Sequence, residues 1–180
     1  MHCIHRFGSA ASAKAVRCAT SSMTLSSHEL QALLEAIGYQ ATHRDLRDAV
    51  TLVLNTGLRI SELRNLRWSD VELSDRQILV RLHKSNRVRL VPFNEAVGNM
   101  LSARRAADPD SEFVFGDHPD RLLRHAARQL VEVSPEAVGR KLSFHTVRRT
   151  FIGTLINSGM QLISIATLLG ASPKAVAEVR

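Results

Sequence analysis

Between Gln77 and Val91 the apolar residues of this chain leave helical spacing, and that single interruption limits its fold more than any other feature. Gln77 to Leu82 and Val88 to Val91 are rich in β-branched residues and leucine, a composition suited to a pleated, half-buried surface. The polar stretch Lys84-Ser85-Asn86-Arg87 between them reads as a hairpin connection, and Val71 to Leu73 is placed to add a third strand.

On either side the pattern is helical. Ser26 followed by Glu29 forms a capping box ahead of Leu30, Leu33, Leu34 and Ile37, so a first helix starts near Ser26. A second covers Arg44 to Thr56, with Leu46, Val50, Val53 and Leu54 on one face and Gly57 at the position where helices end with positive φ. Leu58 to Leu63 predicts a short helical turn. After Asn94, helical spacing returns through Val97, Leu101 and Arg105, and again from Leu122 to Val131. A loop at Pro135 and a further helix are expected before the helix from His145 to Ser158, which Gly159 stops. Gln161 to Leu169 and Pro173 to the end complete the set. The expectation is a mainly α domain carrying a small antiparallel three-stranded β-sheet, of the α+β class, over residues 26–180, with residues 1–25 a disordered leader.

The 180 residues suit one packed domain, and 44% hydrophobic with 23% charged residues is ordinary for a soluble one. Cys3 and Cys18 lie in the leader without a metal-like or redox spacing, so no disulfide framework and no zinc site is expected. The longest apolar stretch, Leu162 to Ala171, contains Ser164 and Thr167 and falls short of the ~18 residues that cross a bilayer. A cytoplasmic location follows as the expectation. Residues 1–25 hold Arg6, Lys14 and Arg17 and no acid, which superficially resembles a transit peptide but lacks sustained amphipathic spacing. The net charge of +7 favours a polyanionic partner, because clustered Lys and Arg displace counterions condensed on phosphates.

Three islands hold the unusual chemistry: Thr56-Gly57-Leu58-Arg59-Ile60-Ser61-Glu62-Leu63, then His83-Lys84-Ser85 in the hairpin, then His145-Thr146-Val147-Arg148-Arg149-Thr150-Phe151. In order and spacing, from Ser26 to Leu169, and in wording such as Leu66-Arg67-Trp68-Ser69-Asp70, they resemble the catalytic domain of the tyrosine recombinase, or phage integrase, family. The resemblance implies that Arg59, Lys84, His145 and Arg148 are catalytic, that the substrate is double-stranded DNA, and that strands are broken and rejoined by transesterification without metal or organic cofactor.

Physical chemistry supports that assignment. Attack on a phosphodiester builds charge on the non-bridging oxygens, and two guanidiniums offer forked donors that strengthen as it develops. A lysine at a hairpin tip can protonate the departing 5′ oxygen. His145, three residues before Arg148, shares its helix face and would serve either as proton acceptor or as phosphate donor. Glu62, three residues past Arg59, either orients that guanidinium or forms a plain surface pair with it.

The chain also departs from the family pattern. Arg149 stands where histidine is common. Ala171 stands where the family has histidine or tryptophan, and Arg180 falls at or next to the place of the nucleophilic tyrosine. The one tyrosine, Tyr39, precedes the Arg59 island. The expectation is a recombination or integration domain inactive as given, whether truncated short of the nucleophile or a decayed copy. The rival reading is a non-catalytic DNA-binding or regulatory module that pairs with an intact recombinase protomer, and a third is a basic helical interaction domain with no DNA role. The family's amino-terminal DNA-clamping domain is not expected in the short leader, and a monomer in solution is.

Overall fold

The computed structural model describes residues 24–38, 41–82 and 87–179. Lys84, with most of the hairpin connection, lies outside them, as do Tyr39, Arg180 and residues 1–23 of the leader. Helix α1 (Ser27–Ile37) begins at the expected capping box: Ser26 Oγ accepts from the Glu29 amide at 3.2 Å, and Glu29 Oε2 accepts from the Ser26 amide at 2.8 Å. Just before it Leu25 is buried in the core and donates its amide to Thr150 Oγ1 at 2.9 Å.

Helix α2 (Arg44–Thr56) is the centre of the domain. Leu46, Ala49, Val50, Leu52 and Val53 are fully buried, each removal of such a side chain from water being worth roughly 1.5–3 kcal/mol for the larger ones. Their width of burial requires cover on several sides. It comes from α4 (Glu95–Ala107), α5 (Pro119–Val138) and α6 (Phe144–Asn157), while α1 packs mainly on α5. Asp48, buried on α2, is compensated by Arg104 of α4 at 2.8 Å.

A short helix, α3 (Ile60–Arg64), precedes the sheet of β1 (Val71–Glu72), β2 (Gln77–Leu82) and β3 (Arg87–Pro92), antiparallel in the order β1-β2-β3. The register pairs Ile78 with Val91 and Val80 with Arg89, and these four point inward. The alternate residues Val88 and Leu90 face out and are 59% and 57% exposed. Two helices, α7 (Leu162–Leu169) and α8 (Pro173–Ala177), close the chain. They form with α6 a second apolar cluster of Ile152, Ile165, Ala166, Leu169, Val176 and Val179.

The expected loop at Pro135 and the extra helix after it are not found. Pro135 lies inside α5, which runs without a break to Val138 and ends at Gly139, whose φ of 69° is the left-handed cap. Proline withholds one amide and crowds the carbonyl four residues back, but the last turn keeps its place because Ser134 is fully buried and accepts the Leu142 amide at 2.9 Å. Packing overrides the local preference.

Candidate functional site

The end of α2 sets the site. Gly57 has φ of 64°, and a Cβ there would stand 2.6 Å from both Leu169 Cδ2 and Phe151 Cδ1. No other residue lets the chain turn so close to α6 and α7. The turn buries Leu58 and presents Arg59 in extended backbone at the start of α3. Glu62 then folds back on it: Oε2 accepts the Arg59 amide at 2.7 Å, and Oε1 accepts Arg59 Nη1 at 3.0 Å.

Arg148 reaches the same place from α6. Helix α6 is capped by Ser143, whose hydroxyl accepts the Thr146 amide, so the first turn carries His145 and the second Arg148. Arg148 is buried, donates Nη1 to the Gly57 carbonyl, and has Glu62 Oε2 at 3.9 Å. The Leu169 carbonyl, at the end of α7, accepts from both Arg59 Nη1 and Arg148 Nη2 at 3.4 Å, and Gly170 carbonyl accepts Arg59 Nη2 at 3.4 Å. Carbonyls at a helix end lack intrahelical donors and carry partial negative charge, so they draw the two guanidiniums together.

Burial lowers the Arg148 pKa to about 10, with the nearby Arg59 charge adding to the effect and Glu62 opposing it. Arg148 therefore stays cationic at neutral pH. For Glu62 burial acts to raise the pKa, but hydrogen bonds from Arg89 and from the Arg59 amide, together with both cationic charges, hold it below the ordinary carboxylate value. His145 is exposed at the cleft rim. Partial burial first, then the charges of Arg149 and Arg148, lower its pKa, which favours neutral imidazole.

Arg59, His145 and Arg148 line one cleft of about 460 Å³, and Arg149, Ala171 and Glu178 line it too. The structure thus brings together three of the four residues singled out as catalytic, and Glu62 sits behind both arginines. Sequence reasoning missed Arg89. This β3 arginine is buried and places Nη1 and Nη2 on the two oxygens of Glu62 at 3.0 and 2.9 Å. A signal existed in the strand alternation, since Arg89 shares a face with Val91. No group of three or more metal-ligating side chains is gathered among the described residues, and no helix among them is long and apolar enough to cross a membrane. Two adjacent guanidiniums and an imidazole, backed by one carboxylate, can hold a tetrahedral oxyanion and stabilise added negative charge on it.

The family model described as "Phage integrase family" matches residues 23–177, which takes in all of these side chains. The chain belongs to the phage integrase family. Among relatives in that family it is similar to the tyrosine recombinase XerC of Listeria innocua serovar 6a, with 30% identity over 157 residues, and to that of Corynebacterium glutamicum, with 33% over 135 residues. These alignments cover 80% and 71% of this chain and 52% and 44% of the relatives. The chain spans about half the length of the curated relatives it matches. Its fold is similar to the crystal structure of XerA recombinase, with a TM-score of 0.72 and 26% identity over 87% of this chain and 59% of that one. The Tn1549 transposon integrase, solved in complex with a circular intermediate DNA, gives a TM-score of 0.71 at 21% identity and covers 88% of this chain and 61% of that one, a likeness of fold. A mainly helical integrase-family domain with a three-stranded antiparallel sheet is therefore established.

Proposed function

We propose that this integrase-family domain acts in site-specific DNA recombination and that its cleft holds one phosphodiester of duplex DNA between Arg59 and Arg148. The observation that carries the reading is the convergence of those two guanidiniums, 89 positions apart in sequence (148 − 59), on the same Leu169 carbonyl. An oxygen already bridges them. In this reading a phosphate oxygen takes a comparable place on the exposed side of Arg59, whose side chain is 40% exposed, while Arg148 supplies charge from beneath.

His145 at the rim either accepts a proton or donates to the phosphate. Lys84, in the hairpin connection, is the residue that would protonate a departing 5′ oxygen once a hydroxyl nucleophile is supplied, and Glu62, clamped by Arg89, keeps Arg59 in its rotamer. Covalent strand exchange needs a hydroxyl nucleophile that stores the broken diester, and the single tyrosine of these 180 residues, Tyr39, precedes the site in sequence. These 180 residues therefore bind DNA without capturing it covalently. Ala171, a methyl group on the cleft wall, favours the related reading of a non-catalytic DNA-binding module that works beside an intact recombinase protomer.

Fluorescence anisotropy with a labelled duplex across a salt series tests the proposal. Binding should be weak and salt-dependent, with log K falling about 0.9 per phosphate contact for each unit of log salt. Absence of binding at low salt would refute it. A nicked suicide substrate should yield no covalent adduct, and an adduct would refute the second part.

A further inference from the structure

Arg149 follows Arg148 on α6, yet its guanidinium is committed elsewhere. Its Nη2 donates to the main-chain carbonyl of Glu178 at 2.7 Å, and its Nε is buried with no hydrogen-bond partner. Glu178 immediately follows α8, so its carbonyl is one that no intrahelical amide satisfies, a place that favours an arginine donor. The next residue, Val179, is buried with Ile152, Ile165, Leu169 and Val176 in the second apolar cluster. Glu178 and Val179 in turn line the cleft shared by Arg59, His145 and Arg148.

We propose that Arg149 is a positioning residue that pins the end of α8 to α6 and so fixes Ala175–Val179 as a wall of the cleft. A role as a third phosphate ligand fits the geometry less well. Its Nε is sealed from solvent and Nη2 is occupied, so a phosphate oxygen could use that edge only after α8 had moved away. The length of the guanidinium and its several donors suit a bond between two helices. The importance of this wall for DNA chemistry rests on the reading of the cleft as a phosphate site, whereas the anchor itself does not.

Amide hydrogen exchange on the 180-residue chain and its R149M and R149K variants tests the anchor. Losing a charged hydrogen bond should raise exchange on the order of ten-fold at Ala175–Val179 in R149M, with α2 and the first turns of α6 unchanged. R149K should recover part of the protection, because an ammonium can still donate to the Glu178 carbonyl. Duplex binding, measured in parallel, should fall in R149M, which removes a cation from the cleft lining, by less than in an Arg148 variant, and R149K, which keeps the charge, should restore most of it. Unchanged exchange at Ala175–Val179, or a rise spread evenly over α2 and α6, would overturn the anchor. So would a fall in DNA affinity in R149M as large as in an Arg148 variant with α8 still protected, which would make Arg149 a phosphate ligand. Failure of the unmodified chain to bind DNA would instead count against the phosphate reading and leave the exchange result to stand on its own.

Discussion

Arg89 grips Glu62 through both guanidinium nitrogens, at 3.0 and 2.9 Å, and Glu62 in turn holds the amide and the guanidinium of Arg59. A strand of the sheet is thereby tied to the arginine of a helix turn by a single buried carboxylate. If Arg59 holds a phosphate as proposed, fixing its guanidinium before the ligand arrives lowers the entropy lost on binding. The arrangement also explains how three arginines crowd together, since Glu62 sits within 4 Å of Arg59, Arg89 and Arg148.

Removing one member of that buried pair should be costly. R89M leaves Glu62 with a smaller share of its compensating charge, and the expected destabilisation is about 3–5 kcal/mol. The R89M/E62Q double variant should recover part of it. Urea unfolding measures both, and a loss below about 1 kcal/mol in R89M would mean that the pair is not buried as described.

Gly57 should not tolerate a side chain. G57A combines left-handed backbone with a methyl 2.6 Å from Leu169 and Phe151, and an expected loss of about 2 kcal/mol or more follows from the backbone term plus overpacking. The displaced turn should also shift the Gly57 carbonyl from Arg148, so duplex affinity should fall with stability. Thermal unfolding and anisotropy report the two effects.

Affinity should depend on pH through His145. The group is depressed below 6.5 in the free protein by partial burial and by Arg149 and Arg148. A phosphate bound beside it favours the protonated ring and raises its pKa, so binding takes up a proton. Affinity should therefore rise as pH falls through the window between the bound and free values. H145Q should flatten that part of the profile. A wild-type profile already flat there would place His145 away from the bound phosphate.

Much of the architecture could be read from the residues because local signals agreed with packing. The capping box at Ser26, the left-handed Gly57 and the change of period at Gln77 each have a cause within a few positions. Arg59, His145 and Arg148 were singled out for a different reason, the wording around them, and what the structure adds is that they line one cleft. Arg89 was harder to read, because both faces of β3 carry apolar residues, Val88 and Leu90 on one and Val91 beside Arg89 on the other. The inward face is chosen instead by Glu62, a carboxylate 27 positions away that must be compensated. The carbonyls of Leu169, Gly170 and Glu178 were equally hidden, since a main-chain acceptor carries no residue signature. Pro135 misled because propensity is local while the α5 contacts with α1 and α2 are not.

The most direct test is the distance between the guanidinium nitrogens of Arg59 and Arg148 and the nearest phosphate oxygens in a crystal structure of this chain bound to a short duplex. The account predicts one phosphate within about 3 Å of Arg59, with Arg148 on the same phosphate at hydrogen-bond or ion-pair range. Phosphates confined to other surfaces, with both arginines still satisfied only by Glu62 and the Gly57, Leu169 and Gly170 carbonyls, would contradict it.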